Sequence, residues 1–403
     1  MARIAVLNLP EHGHMNATFA LVGELARRGH DLTYWATEPF RSRIEAAGAA
    51  FRSYGAHEKF RPPAHAGGLY SVMAYLAGLS EKVLPDLLDE LREHRPDVLL
   101  IDSMCAWGHL ANQVLGLPAV TLASVFVTHD RMPVEAMVEA AYGRAPKEVV
   151  LSGIDALSRY FEIAQRLDQR HGTRSPNIVE FFSHRQALNL VFTSAYFHLE
   201  SDRFDATYKF VGPSVEPRDE AIDFPFDRLD GRPLIYVSMG TIFNDRPDFF
   251  SACYEAFRVL PFQVVVALGD AIDPETLGPV PDNFIVRPFI PQLEILRRTS
   301  LFLTHGGMNS VNEALWNDVP LLVYPQHGDQ HLTAGRVAEL GAGLPVMPPQ
   351  ATAEGLRGMA AHILGEPGFK AGAAKIGASL RSAGGAVRAA DEITTFIQDV
   401  DVR

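Results

Sequence analysis

The chain has 403 residues, 36 basic and 48 acidic side chains for a formal charge of -12, and two cysteines. At about 150 residues per domain this length predicts two or three domains, and the acidic balance lacks the basic footprint that nucleic-acid binding needs, while leaving room for a local site for a small anion. Cys105 and Cys253 form no CxxC pair, zinc spacing or disulfide framework, which points to a reducing compartment.

The first element is a nearly continuous apolar run from Arg3 to Leu9, as in a strand covered on both faces of a parallel sheet. It is too short for the core of a signal peptide, and no apolar stretch approaches the roughly 18 residues of a spanning helix; the expectation is a soluble, cytoplasmic protein. Pro10 to Asn16 reads as a turn. Ala17 to Arg28 carries a helical stripe through Phe19, Val22 and Leu25, stopped by Gly29, and Asp31 to Ala36 is the next strand. The alternation returns at Pro96 to Ile101, a helix from about Trp107 to Leu115, and Ala119 to Ala123. Tyr70, Met73 and Tyr75, and later Phe126 and Met132, give this half a surplus of aromatic and Met side chains. They fit either helix core or a wide apolar pocket.

From Val211 to Pro233 turn formers and charges crowd a segment without periodicity, as in a linker. A second series then runs through Leu234 to Ser238, Gln263 to Leu268, Phe284 to Arg287, Leu301 to Thr304 and Leu321 to Tyr324, with helices between. The fold class is α/β, with two doubly wound, Rossmann-like domains. The expected boundaries are 1–212, a linker at 213–233, 234–385, and a C-terminal helix and acidic tail at 386–403 that packs back towards the first domain. Asp399-Val-Asp401 is a DxD triplet, read here as a solvated tail and not a metal site.

Leu301 to Trp316 is a buried strand, a Gly306-Gly307 turn and a helix whose first turn carries Asn309 and Ser310. A helix start offers unpaired N–H groups and partial positive charge, so it can cradle a phosphate; a merely capped helix is the other reading. Asp329 and Gln330, just past the next strand, are an acid and an amide able to bond several hydroxyls, or a solvated loop pair. In the first half, His14 and Asp102 both follow strand ends of one sheet, where they could meet. His12-Gly13-His14 lacks a third metal ligand at recognisable spacing.

These segments together resemble the UDP-dependent glycosyltransferases of family 1, with the GT-B fold of two domains facing a central cleft, and most closely the bacterial macrolide and natural-product enzymes. The resemblance rests on Glu11 to His14, Pro96 to Asp102, Val237 to Thr241, Pro288 to Gln292, His305 to Ser310 and Asp329-Gln330. It implies that 1–212 binds the acceptor and 234–385 the nucleotide sugar. It implies that Phe289, where plant members have Trp, stacks on uracil beside the Ile290 backbone, and that Gln292 and Glu313 bind the ribose. Ser238, Thr241, His305, Gly307, Asn309 and Ser310 would surround the diphosphate, and Asp329 and Gln330 would read the sugar.

By the same resemblance His14 is the general base and Asp102 orients it, although Ala17 stands where the family has proline. No adjacent carboxylate suggests a covalent nucleophile, so the implied reaction is inverting and metal-independent, without a cofactor beyond the UDP-sugar co-substrate. Glucose is the implied sugar, and a macrolide, polyketide or flavonoid the implied acceptor, lined by Tyr70, Met73, Tyr75, Phe126 and Met132. A UDP-sugar epimerase and a non-catalytic sugar-nucleotide-binding helper are the alternatives; a nicotinamide dehydrogenase is disfavoured because the first turn is not GxGxxG. No nucleic-acid or membrane partner is expected, and the oligomeric state stays open.

Overall fold

In the computed structural model of the chain, which describes residues 1–55, 68–129, 147–216, 222–241, 244–326 and 329–401, the apolar runs become the strands of two parallel sheets. Met1–Ser214 together with Ala383–Arg403 form one unit, and Val215–Ser382 the other.

The first unit contains β1 (Arg3–Leu7), β2 (Asp31–Ala36), β3 (Ala50–Ser53), β4 (Val98–Asp102), β5 (Ala119–Ala123), β6 (Leu188–Val191) and β7 (Tyr208–Phe210). They lie in the order β3-β2-β1-β4-β5-β6-β7 and pair in parallel throughout. Helices α1 (His12–Arg27), α2 (Arg41–Ala46), α3 (Leu69–His94), α4 (Ala106–Leu115) and α5 (Lys147–His171) connect them. Every residue of β4 and β5 is buried, which is why these strands read as unbroken apolar runs.

The second unit contains β8 (Leu234–Ser238), β9 (Gln263–Ala267), β10 (Phe284–Arg287), β11 (Thr299–Thr304), β12 (Leu321–Val323) and β13 (Gly343–Pro345), in the order β10-β9-β8-β11-β12-β13 and again parallel. Its helices are α6 (Pro247–Phe257), α7 (Gln292–Leu296), α8 (Met308–Trp316), α9 (Asp329–Glu339), α10 (Ala353–Gly365) and α11 (Pro367–Ser382). In both sheets the order reverses beside the first strand. The reversal falls between β1 and β4 in one unit and between β8 and β11 in the other, and such switch points open a crevice at the strand carboxyl ends.

Three local expectations change. The turn expected at Pro10 to Asn16 is largely helix, because α1 starts at His12 with Glu11 as an extended N-cap; Gly13, a poor helix former, hid this start. Much of the expected linker belongs to the second unit, where Gln263 accepts the Asp230 N–H at 3.1 Å and donates to the Arg228 carbonyl at 2.7 Å. The last helix, α12 (Gly385–Asp401), runs to Asp401, so the DxD triplet lies on it and not beyond it. Ala389, Ala390 and Ile393 of α12 are fully buried in the core of the first unit with Leu21, Val22 and Leu25 of α1.

Candidate functional site

Strand β1 ends at Leu7, the chain turns through Asn8 to Glu11, and the first turn of α1 carries His14 back to the carboxyl end of the sheet. Asp102 is the last residue of the neighbouring strand β4. The two meet across the switch point, His14 Nδ1 lying 2.9 Å from Asp102 Oδ2, with the Asp102 side chain 1% exposed and that of His14 15% exposed. Oδ1 of Asp102 accepts the Met104 N–H at 2.9 Å, and the Asp102 carbonyl lies 3.1 Å from Nε2 of His109. A carboxylate only accepts hydrogen bonds, so this contact puts the proton on Nδ1 and leaves Nε2 as the basic nitrogen.

Two neighbours were not singled out from the sequence. Ser124, just after β5, brings Oγ to 2.9 Å from the same Nδ1, and no periodic or motif signal marks it. Burial raises the Glu11 carboxyl to about 7, against the opposing charge of His14. Glu11 opens the Glu11 to His14 motif, whose resemblance implies a role for His14 alone.

In the second unit Ser238 ends β8, and His305 follows β11 beside it. The His305 ring is packed between two glycines. A Cβ on Gly240 would come within 2.6 Å of the ring and one on Gly307 within 2.5 Å, so no larger residue fits at either position without moving the imidazole. Burial pushes His305 down to about 4, against a hydrogen bond with the Ser238 backbone that favours the charged form. The ring is therefore neutral at neutral pH and supplies hydrogen bonding but no net charge. Among the described residues its buried Nδ1 has no partner. Gly307 is the N-cap of α8 and makes no side-chain cap, so the first N–H groups of that helix are left for another acceptor.

Gln292 and Glu313, both assigned to ribose, are bonded to each other. Gln292 Nε2 donates to Glu313 Oε2 at 2.7 Å, while Asn309 Nδ2 donates to Glu313 Oε1 at 2.7 Å and the Tyr236 hydroxyl donates to Gln292 Oε1 at 3.2 Å. Glu313 has no exposed surface; it acts on its surroundings by fixing Gln292 and Asn309. Phe289 by contrast is 51% exposed, beside buried Ile290. Thr241 is exposed in the loop after β8, Ser310 is half-buried on the first turn of α8, and Asp329 is exposed at the start of α9. Gln330 is buried, and its Oε1 accepts the Gln326 N–H at 2.8 Å.

Of the residues expected to line an acceptor pocket, Met73 is wholly buried and Tyr70 nearly so, in the core between β4, α3 and α5, with Tyr75 packed against them. Phe126 packs edge-on against His198 at 5.1 Å and against Phe197, and Met132 lies outside the described residues. A cavity of about 620 Å³ lies elsewhere in this unit, lined by Tyr160, Phe161, Asp168, Arg174 and Asn177 among others, none of them an expected site residue. Among the described residues no group of three or more His, Cys, Asp or Glu is placed to hold a metal ion, and no helix is long and apolar enough to cross a membrane.

Residues 257–391 match the family described as Erythromycin biosynthesis protein CIII-like, C-terminal domain. Over its whole length the chain is similar to the NDP-glycosyltransferase YjiC of Bacillus licheniformis, 33% identical with 99% of each chain covered. It is also 33% identical to the demethyllactenocin mycarosyltransferase of Streptomyces fradiae, over 98% of this chain and 86% of that one. Among solved structures, the glycotransferase of kitacinnamycin superposes with a TM-score of 0.81 at 25% identity, covering 98% of both chains.

Proposed function

The chain belongs to the family 1 glycosyltransferases of GT-B fold, among the macrolide and natural-product enzymes, and from that premise we propose that it transfers glucose from UDP-glucose, with inversion, to a hydroxyl of a bulky apolar natural product. The observation that carries the reading is the 2.9 Å contact between His14 Nδ1 and buried Asp102 at the first switch point.

In this mechanism His14 Nε2 takes the proton of the acceptor hydroxyl as its oxygen attacks the anomeric carbon. The bond from that carbon to the diphosphate breaks, and the electron pair leaves with UDP. Asp102 keeps the Nδ1 proton in place and stabilises the imidazolium that forms, as an orienting acid does in other His-based sites. Such general-base assistance is worth about 10²–10⁴-fold. Attack on one face and departure from the other turns an α-linked donor into a β-glycoside.

The uncapped start of α8 would receive the negative charge of the leaving diphosphate, with a neutral N–H of His305 and the hydroxyl of Ser310 beside it. That arrangement supports a reaction without a metal ion. The exposed Phe289 ring supports stacking on the base, and its modest area admits thymine as well as uracil. A hydrophobic acceptor fits the relatives named for macrolide products, and catalysis by one polypeptide needs no cofactor in this scheme.

The test is mass spectrometry of reactions holding UDP-glucose, a panel of macrolides and flavonoids, and EDTA, with wild type beside His14→Ala. A hexose adduct formed by wild type and lost in the variant is expected. Rearranged UDP-glucose without an adduct would favour the epimerase, and bound but unreacted donor the helper protein.

A further inference from the structure

At the carboxyl end of β12, three side chains form a network that none of the site assignments so far uses. Arg246, at the N-terminus of α6, donates from Nη2 to the Tyr324 hydroxyl at 2.9 Å and from Nη1 to Gln326 Oε1 at 3.2 Å. The Tyr324 ring is itself stacked on Phe249 at 4.6 Å, so the guanidinium is anchored to a rigid surface. Arginine has only donors, which settles the orientation of the Gln326 amide: its oxygen faces Arg246 and its NH₂ the other way. Among the described residues that Nε2, which is buried, has no partner. The Gln326 backbone N–H is bonded to Gln330 Oε1, and Gln330 lies against Gly306, where an added Cβ would come within 3.3 Å of the Gln330 carbonyl. Gln326 is thus fixed at both ends, next to the turn that holds His305, and carries a buried donor with nothing to donate to. A buried unpaired N–H costs free energy that a ligand oxygen can recover.

We propose that Gln326 is a specificity-determining residue of the donor's sugar site, its amide N–H donating to a ring hydroxyl, with Arg246 as the positioning residue. The inference rests on the nucleotide-sugar reading of this unit. Asp329 can only accept from sugar hydroxyls when ionised, and the Gln330 side-chain oxygen Oε1 is engaged by the Gln326 backbone N–H. Gln326 supplies the complementary donor. A hydroxyl satisfies it and a deoxy position does not, so Gln326 favours a fully hydroxylated hexose over a deoxyhexose.

The test is calorimetric binding of UDP, UDP-glucose and the monodeoxy analogues of UDP-glucose to wild type, Gln326→Met and Gln326→Glu. Met keeps the volume without the donor; Glu keeps the oxygen on Arg246 and removes the N–H. Wild type is expected to prefer UDP-glucose over one of the analogues by roughly ten- to hundredfold, and both variants to lose that preference while binding UDP as wild type does. Unchanged preference in either variant, or UDP affinity falling as far as UDP-glucose affinity, would overturn the proposal, the latter by assigning the N–H to phosphate. Wild type that binds neither UDP nor UDP-glucose would instead overturn the donor reading beneath it.

Discussion

The two sheets share a strand order and a switch point, yet the histidine Nδ1 at each is treated in the opposite way. In the first unit His14 Nδ1 is bonded to both Asp102 and Ser124, and the Asp102 carboxylate also accepts a backbone N–H. In the second unit, among the described residues, Nδ1 of His305 and Nε2 of Gln326 are buried without partners. A group that must move a proton is held in one tautomer by the protein before anything binds. Groups that must bind are left short of partners, so that the ligand completes them. On the proposed function, the difference separates chemistry from recognition within one architecture.

The sharpest way to break this comparison is to remove the base. His14→Ala should lower kcat/KM by about 10²–10⁴-fold while calorimetric UDP affinity stays at the wild-type value; a parallel loss of UDP affinity would mean that the two regions are not functionally separate. Gly307→Ala makes the reverse separation. Gly307 has φ of -61° and ψ of 132°, which alanine adopts freely, so the damage comes from a methyl group 2.5 Å from the His305 ring. UDP affinity should fall by roughly ten- to hundredfold, as for a clash of about 1–3 kcal/mol, and the His14 resonance should titrate in NMR as in wild type.

Smaller effects sharpen the electrostatic side. Burial holds His305 and His184 at about 4, whereas an unfolded chain titrates its histidines near 6.5. Between those values the unfolded chain binds protons that the folded chain refuses, so stability falls as pH drops from about 6.5 towards 4. Melting at pH 7.5 and 5 should show that loss, on the order of 2 kcal/mol per ring at the lower pH, and His184→Asn should make it smaller. Glu11→Gln is the mildest. Ionised Glu11 favours the protonated form of His14, so its removal should move the acid limb of kcat/KM to lower pH by less than about one unit; an unmoved limb would leave Glu11 a purely structural N-cap.

Much of this was legible before the structure. β2, β5, β8 and β10 have the limits that their apolar runs predict, because turn formers such as Gly29, Pro118, Pro233 and Pro288 punctuate the chain at or near their ends. β3, β7 and β13 were missed. β3 and β7 are the edges of one sheet and β13 an edge of the other, and at three or four residues with exposed or half-buried positions they carry too little pattern. β6 was missed although wholly buried, since the polar Asn189 interrupts its short apolar run. At the site, the glycine turn at Gly306-Gly307 and the His14 and Asp102 pair stood out from spacing and resemblance. Ser124, Arg246 and Gln326 did not. Each is a polar residue in a connecting loop whose partner lies 75 or more positions away or on another strand end, as with Ser124 and His14 at a separation of 110 and Arg246 and Gln326 at 80. Only the folded chain places such pairs side by side.

The return of the last helix to the first unit makes the second unit an insertion. The chain leaves the first unit at Ser214 and re-enters it at Ala383, and α12 then fills the core surface on α1 with Ala389, Ala390 and Ile393. A fragment ending at Ser214 would expose that apolar surface and should aggregate or fold poorly. A ribosome must therefore synthesise the chain through α12 before the first unit can complete its core. For anyone exchanging second units between relatives, the natural graft is a cassette cut at both crossings, from Val215 to Ser382, and not a simple exchange of C-terminal halves.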